Sequence, residues 1–94
     1  SAATVSVLGF CTENDTSYDF DISAQMKYGD CYVYAAMYDE NGVMIGIDRV
    51  PLSMKDDTKI SLDKKDNAKN VNIFVLSSQL QPISEKKTVK LVEE

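Results

Sequence analysis

Apolar and polar residues alternate with a period of two along most of the chain, and this pattern predicts β-strands rather than helices. The clearest example is segment 18–26 (YDFDISAQM), in which apolar residues on one side alternate with aspartate and serine on the other. Two segments that begin at Cys31 and Asn70 are more continuously apolar, as is typical of strands in the middle of a sheet. In chain order the pattern predicts strands at residues 4–12, 18–26, 31–38, 43–50, 60–62, 70–77 and 87–92.

Turn-forming residues separate these predicted strands. The pair Asn41-Gly42 predicts a tight hairpin, because such turns require positive φ, which glycine adopts freely and asparagine tolerates; Val43 should therefore return antiparallel. Gly9 indicates a bulge in the first strand. We interpret residues 53–59 as a charged loop, and residues 64–70 as a polar connection with room for one helical turn.

Seven short strands with turns every 8 to 12 residues, in a chain of about 100 residues, are typical of an immunoglobulin-like or fibronectin-like sandwich. The sequence therefore predicts an all-β fold, an immunoglobulin-like antiparallel β-sandwich of about seven strands, with a small open barrel as the alternative. At 94 residues the chain is too short to divide into two useful cores, so residues 1–94 are interpreted as one domain. Residues 1–3 (SAA) are interpreted as a tag remnant or the start of a fragment.

Charge and hydropathy exclude two classes of partner. The net charge is −5, whereas nucleic-acid binding depends on clustered Lys and Arg, so no nucleic-acid partner is expected. The chain contains no run of the roughly 20 apolar residues that a transmembrane helix needs, so no membrane partner is expected either. We predict a monomeric domain.

Two segments resemble a pattern in accessory modules of large extracellular or cell-surface proteins of Firmicutes. Residues 36–42 (AMYDENG) match a strand that ends in Ala-Leu-Tyr-Asp-x-x-Gly, and residues 71–77 (VNIFVLS) followed by 81–83 (QPI) match a later strand. The chain differs from that pattern at Leu76, where tryptophan is usual, and at Ser77, where aspartate is usual. The resemblance covers residues 33–84 and implies an immunoglobulin-like sandwich without chemistry of its own.

Candidate catalytic chemistry is sparse. The chain has no histidine, which removes the commonest general base and the commonest zinc ligand. We therefore predict that it is not an enzyme and that it has no catalytic residues, no metal site and no cofactor. Calcium stays open as an alternative because several carboxylates lie close together in sequence, although their spacing fits no known calcium loop; they are Glu13, Asp15, Asp19 and Asp21.

Five tyrosines and no tryptophan leave one candidate ligand surface. Three of the tyrosines share one face of the third predicted strand, and if that face is outward they could stack against a sugar. Because the strand is apolar on both sides, we favour the interpretation that this face is core. The candidate ligand-facing residues are Tyr32, Tyr34 and Tyr38, and the alternate positions are Val33, Ala35 and Met37.

Cys11 and Cys31 could form a disulfide in an oxidising compartment. Cys11 lies at the end of the first predicted strand and Cys31 at the start of the third, so the whole second strand separates them. A disulfide requires Cα atoms within about 7 Å of each other. We therefore expect two free, buried thiols, with the disulfide as the alternative.

The leading hypothesis is a non-catalytic accessory module within a larger secreted or surface-anchored bacterial protein, located outside the cell or at its surface. It would act as a spacer or as an interaction domain, and its partners would be neighbouring domains of the same polypeptide. Two alternatives stay open: a carbohydrate-binding module with a glycan as partner, and an adhesin or pilin-like subunit that binds a surface protein by adding a strand to an unpaired sheet edge.

Overall fold

The structure, a computed structural model, describes residues 4–25, 30–52 and 58–91, and the side chains of all of these except residues 4–10 and 24–25. Within these ranges it contains seven strands and no helix. The strands are β1 (Thr4–Glu13), β2 (Ser17–Gln25), β3 (Cys31–Tyr38), β4 (Met44–Pro51), β5 (Thr58–Asp63), β6 (Asn70–Ser77) and β7 (Lys87–Lys90).

The strands form two antiparallel sheets, one with the order β1-β2-β5 and one with the order β4-β3-β6-β7. The chain crosses from one sheet to the other after β2, after β4 and after β5, which is the arrangement of an immunoglobulin-like sandwich rather than an open barrel. The predicted all-β fold of seven strands is thereby confirmed.

The core lies between the inner faces of the two sheets. The three-stranded sheet contributes Phe20, Ile22 and Ile60, each almost fully buried. The four-stranded sheet contributes alternate residues of its two central strands, and these are also fully buried: Val33, Ala35, Met37, Val71, Ile73 and Val75. Because residues that pair directly across an antiparallel ladder share a face, pairs such as Ala35–Ile73 place both side chains in the core.

The predicted bulge in the first strand is confirmed. The β1–β2 register shifts between Leu8 and Thr12, so that three residues of β1 lie opposite Phe20 alone. A second shift, which the sequence analysis did not predict, lies in β4: Met37 pairs with Gly46 and Tyr38 pairs with Met44, which leaves Ile45 without a partner.

The predicted hairpin after β3 is confirmed, but its loop has three residues rather than two. The Asp39 N–H donates to the Val43 carbonyl at 3.0 Å, and the Gly42 N–H donates to the Asp39 carbonyl at 3.1 Å. Gly42 has φ of +78°, whereas Asn41 does not adopt positive φ. This is a type I turn followed by a left-handed glycine, a three-residue hairpin loop. The left-handed position of this turn is therefore held by Gly42, and Asn41 does not need to adopt a left-handed conformation.

Other predicted boundaries changed by a few residues. The fifth strand covers Thr58–Asp63 rather than residues 60–62, and the connection before β6 contains a turn closed by the Ala68 N–H and the Lys65 carbonyl instead of a helical turn. The tag remnant at residues 1–3, the strand ends at Met26 and Val92, the turn at residues 28–29 and the loop at residues 53–57 lie outside the described residues.

Candidate functional site

The candidate tyrosines lie on the outer face of the four-stranded sheet. In β3 every second residue from Cys31 to Met37 is buried, whereas Tyr32, Tyr34 and Tyr38 are half-buried. The interpretation that the tyrosine face is core is therefore wrong. The inner face of β3 instead carries Val33, Ala35 and Met37, which are fully buried against the three-stranded sheet.

Two of the three tyrosines belong to an aromatic cluster that crosses three strands. Tyr34 pairs with Phe74 of β6, and their rings stack with centres 5.4 Å apart and planes within 1° of parallel. Tyr32, two pairs further along and on the same face, lies opposite Leu76 of β6. A stacked aromatic pair contributes more stability than its buried area alone accounts for. The stacking also holds the two rings in fixed positions on this face.

Arg49 of β4 connects the two tyrosines. Its guanidinium carbon lies 4.4 Å from the centre of the Tyr32 ring, which is cation–π geometry, and Nη1 donates a hydrogen bond to the Tyr34 hydroxyl at 3.3 Å. The hydrogen bond to Tyr34 is the main reason that the pKa of Arg49 is raised. Tyr32, Tyr34, Phe74 and Arg49 are called the aromatic cluster below.

Tyr38 is separate from the aromatic cluster. It lies at the other end of β3, opposite Met44 of β4 and Asn70 of β6. Between Tyr38 and Tyr34 on the same face stands Ala36, which is fully buried. The structure thus brings Tyr32 and Tyr34 together, whereas Tyr38 lies four residues beyond Tyr34 along β3.

Exposed aliphatic side chains extend this face towards its β4 edge. Ile47 lies opposite Ala36 and is 52% exposed, and Met44 lies opposite Tyr38 and is 48% exposed. Val43, the residue before β4, is 55% exposed. The part of this outer face around β4, β3 and Phe74 is therefore largely apolar and aromatic, and Arg49 is a cation within it; towards β7 the same face is polar, with Asn70, Asn72, Thr88 and Lys90.

Neither Arg49 nor Phe74 is among the site residues predicted from the sequence. Phe74 could have been noticed in the sequence. In β6 the outward positions 70 and 72 are asparagines, and an aromatic residue follows them at position 74 on the same face. Arg49 had no such signal, since an isolated arginine on an edge strand is usually a solvated charge. Its role depends on the β3–β4 register, which places it opposite Tyr34.

The outer face of the three-stranded sheet is polar. The Asp19 carboxylate accepts hydrogen bonds from Ser61 Oγ at 2.6 Å, from Ser17 Oγ at 3.0 Å and from the Asn14 side-chain amide. These bonds, that of Ser61 first, lower the pKa of Asp19. Next to it Lys59 forms an ion pair with Asp21 at 2.6 Å. These partners place Asp19 and Asp21 in a hydrogen-bonded surface network.

Among the described residues, no three His, Cys, Asp or Glu side chains converge as metal ligands would. A groove of about 220 Å³ lies between the edges of β4 and β5, lined by Gly46 and Leu62 together with Asp48, Asp63 and Lys65. The Lys65 ammonium donates to the carbonyl of the unpaired Ile45. The groove thus has a carboxylate on each side and an ammonium that is already engaged with the backbone.

Both cysteines are free thiols. Cys31 is buried and Cys11 is half-buried, so the expectation of two free thiols is confirmed, although only one of them is fully in the core. Burial raises the pKa of both, and the neighbouring carboxylates of Glu13 and Asp19 raise that of Cys11 further.

Comparison with protein families, with curated proteins and with solved structures found no match to this chain. No helix that could cross a membrane occurs in the part of the chain that the structure describes. The likeness of residues 33–84 to Firmicute accessory modules stays a prediction.

Proposed function

We propose that the chain is a non-catalytic β-sandwich accessory module of a larger secreted or surface-anchored bacterial protein, and that it acts as an interaction domain through the outer face of its four-stranded sheet. One observation carries this proposal: the half-buried rings of the aromatic cluster and the exposed Arg49 are continuous with the exposed Met44 and Ile47. A purely inert spacer has no use for such a face.

The composition of the face supports a protein partner. Tyrosine, phenylalanine, methionine and arginine are enriched at the centres of protein interfaces, whereas lysine and glutamate are depleted there. Contiguous apolar patches on monomeric proteins commonly mark interaction sites. Because the ring of Tyr34 is fixed by Phe74 and its hydroxyl by Arg49, little side-chain freedom is lost on binding.

Three of the four sheet edges disfavour the adhesin or pilin-like alternative, which requires a regular unpaired edge; the fourth edge strand, β5, is regular over its six residues. β1 is broken by its bulge between Leu8 and Thr12. β4 carries the unpaired Ile45 with its carbonyl bound by Lys65, and β7 has only four residues. Bulges, edge lysines and short edge strands are the means by which proteins prevent added strands.

Carbohydrate binding is the second candidate, because Tyr32, Tyr34 and Tyr38 all lie on the outer face. Sugar stacking needs a free ring face. One face of Tyr32 is covered by the Arg49 guanidinium, and one face of Tyr34 is covered by Phe74. Each of these two rings therefore has one face engaged within the protein and only the opposite face available to a sugar, so we rank the glycan second to the protein partner.

Hydroxyl-radical footprinting tests the proposal, because it reports the exposure of individual tyrosine side chains. We expect Tyr32 and Tyr34 to be oxidised more slowly in the intact parent protein than in the isolated 94-residue domain. Equal oxidation in both would contradict an interaction through this face.

A glycan panel separates the two candidates. We expect no binding by the wild-type domain at millimolar sensitivity. Binding that Tyr34→Ala abolishes and Tyr38→Ala preserves would transfer the function to carbohydrate recognition, since Tyr38 is a tyrosine of the same strand face outside the aromatic cluster.

A further inference from the structure

Two loops of the four-stranded sheet share one backbone design. In each, the first residue of a five-residue segment donates its N–H to the carbonyl of the fifth and accepts the N–H of the fourth, at 2.9 to 3.1 Å. The side-chain oxygen of the first residue, Asp39 Oδ1 or Ser77 Oγ, accepts the N–H groups of the third and fifth residues. The segments are residues 39–43 (DENGV) and residues 77–81 (SSQLQ).

The two turns differ at their fourth position, where the backbone is left-handed. Gly42 holds that position in the first turn with φ of +78°, and Leu80 holds it in the second with φ of +62°. A left-handed backbone is unfavourable for a bulky side chain, because Cβ crowds the following carbonyl oxygen. Glycine or asparagine is the usual residue there, so leucine is the exception.

Leu80 obtains no compensating burial within the domain. Its side chain is 61% exposed, more than any other large apolar residue of the described chain. An exposed leucine on a strained backbone contributes nothing visible to the stability of this domain. Such outliers persist where the strain belongs to a function.

The surroundings of Leu80 fit an apolar surface on a protein partner rather than a charged surface. From Ser77 to Ser84 the chain carries no charged residue, although the protein as a whole has a net charge of −5. Pro82 bridges to Leu76, which lies opposite Tyr32. The tip at Leu80 therefore stands at one end of the same outer face that carries the aromatic cluster.

The first strand begins at this end of the sandwich. Thr4 of β1 pairs with Gln25, the last residue of β2. The chain then crosses into β3, whose first residue, Cys31, pairs with Ser77 at the base of the Leu80 turn. A segment that leads into β1 therefore arrives at the end of the sandwich that carries the Leu80 turn, whereas β7 runs away from it to the opposite end.

We propose that Leu80 anchors an interdomain contact by inserting into an apolar pocket on the domain that precedes this one in the same polypeptide. The inference rests on the proposed function, which treats the chain as a module of a larger protein. The hydrogen bonds of the turn hold the side chain in its projecting position before contact, so that little conformational freedom is lost when the pocket closes around it.

The first test uses the isolated domain and the variants Leu80→Gly and Leu80→Asn, which keep the left-handed turn and remove the apolar side chain. We expect both variants to have urea midpoints equal to or above that of the wild type. The control Leu62→Ala, which truncates a leucine that is 5% exposed, should lower the midpoint clearly. A comparable loss in both Leu80 variants would show that the side chain serves the domain itself, and would overturn the proposal.

The second test is footprinting of the intact parent protein. We expect oxidation of Leu80 to fall from the rate of an exposed leucine in the isolated domain to near the rate of the buried Leu62. Deleting the preceding domain should restore the fast rate, and protection that survives this deletion would overturn the assigned partner.

The footprint also separates the two proposals. Fast oxidation of Leu80 together with slow oxidation of Tyr32 and Tyr34 would overturn the Leu80 contact and leave the proposed interaction face standing. Fast oxidation of all three in the parent protein would overturn both.

Discussion

Tyr34 of β3 stacks on Phe74 of β6 with ring centres 5.4 Å apart and planes within 1° of parallel, on the solvent side of the four-stranded sheet. The pair joins the two central strands by a side-chain contact in addition to the backbone ladder. Directly opposed aromatic residues are among the favourable cross-strand pairs of a sheet. The cluster therefore contributes to stability as well as to the proposed interaction surface.

A double-mutant cycle with Tyr34→Ala and Phe74→Ala should give a coupling energy of about 0.5 to 1.5 kcal/mol, the usual value for a stacked aromatic pair. Urea denaturation of the wild type, both single variants and the double variant measures it. The control cycle pairs Tyr38→Ala with Phe74→Ala, because Tyr38 lies opposite Asn70 instead. Equal couplings in the two cycles would show that stacking is not the cause.

Alternation and turn chemistry were sufficient to predict the strands, because both are local properties. All seven predicted strands occur, and Cys31–Tyr38 and Asn70–Ser77 have the predicted bounds. The length of the hairpin loop was not predictable in the same way. Asn41-Gly42 is compatible with two-residue and three-residue loops. In the three-residue loop that forms, the Asp39 carboxylate accepts the N–H groups of Asn41 and Val43.

The orientation of the tyrosines was not predictable from β3 alone, because both of its faces are apolar. The neighbouring strand contains the missing signal. In β6 two asparagines alternate with Val71 and Ile73, which marks the valine and isoleucine as core. Using that signal requires the β3–β6 register, and the register is set by contacts between residues far apart in sequence. Leu80 is harder still, since nothing in SSQLQ indicates a left-handed leucine.

Gly42→Ala should lower the free energy of unfolding by about 1 kcal/mol, the order of the penalty for a left-handed alanine. A Cβ at this position would meet no atom within 4 Å, so the loss would come from the backbone alone. Urea denaturation measures the change. Gly42→Asn should lose less, because asparagine tolerates positive φ. Equal losses for alanine and asparagine would contradict this explanation.

The two thiols should react with a disulfide reagent at different rates in the folded protein. Burial raises the pKa of both, so that little thiolate is present at neutral pH, and the buried Cys31 should react more slowly than the half-buried Cys11. Cys11→Ser and Cys31→Ser isolate each thiol for measurement. In urea without reductant both thiols should react rapidly. If no free thiol is detected in the unfolded protein, Cys11 and Cys31 form a disulfide.

The Asp19 carboxylate should make stability depend on pH in the acidic range. Its pKa is lowered by the hydrogen bonds from Ser61 and Ser17, so the folded state favours the ionised form. This contribution is fully present above the pKa of an unfolded aspartate, about 3.9. It is lost as pH falls through the lowered pKa of the folded state, where protonation removes the acceptor.

Carboxyl NMR titration checks the cause, and Ser61→Ala should move the pKa of Asp19 back towards its ordinary value. Ser78→Ala is the matched control, because Ser78 is an exposed serine in the β6–β7 turn, far from β2 in the sheet order. In urea denaturation, Asp19→Asn should reduce the loss of stability on acidification relative to the wild type. An unchanged Asp19 titration in Ser61→Ala would show that the β2–β5 hydrogen bond does not lower its pKa.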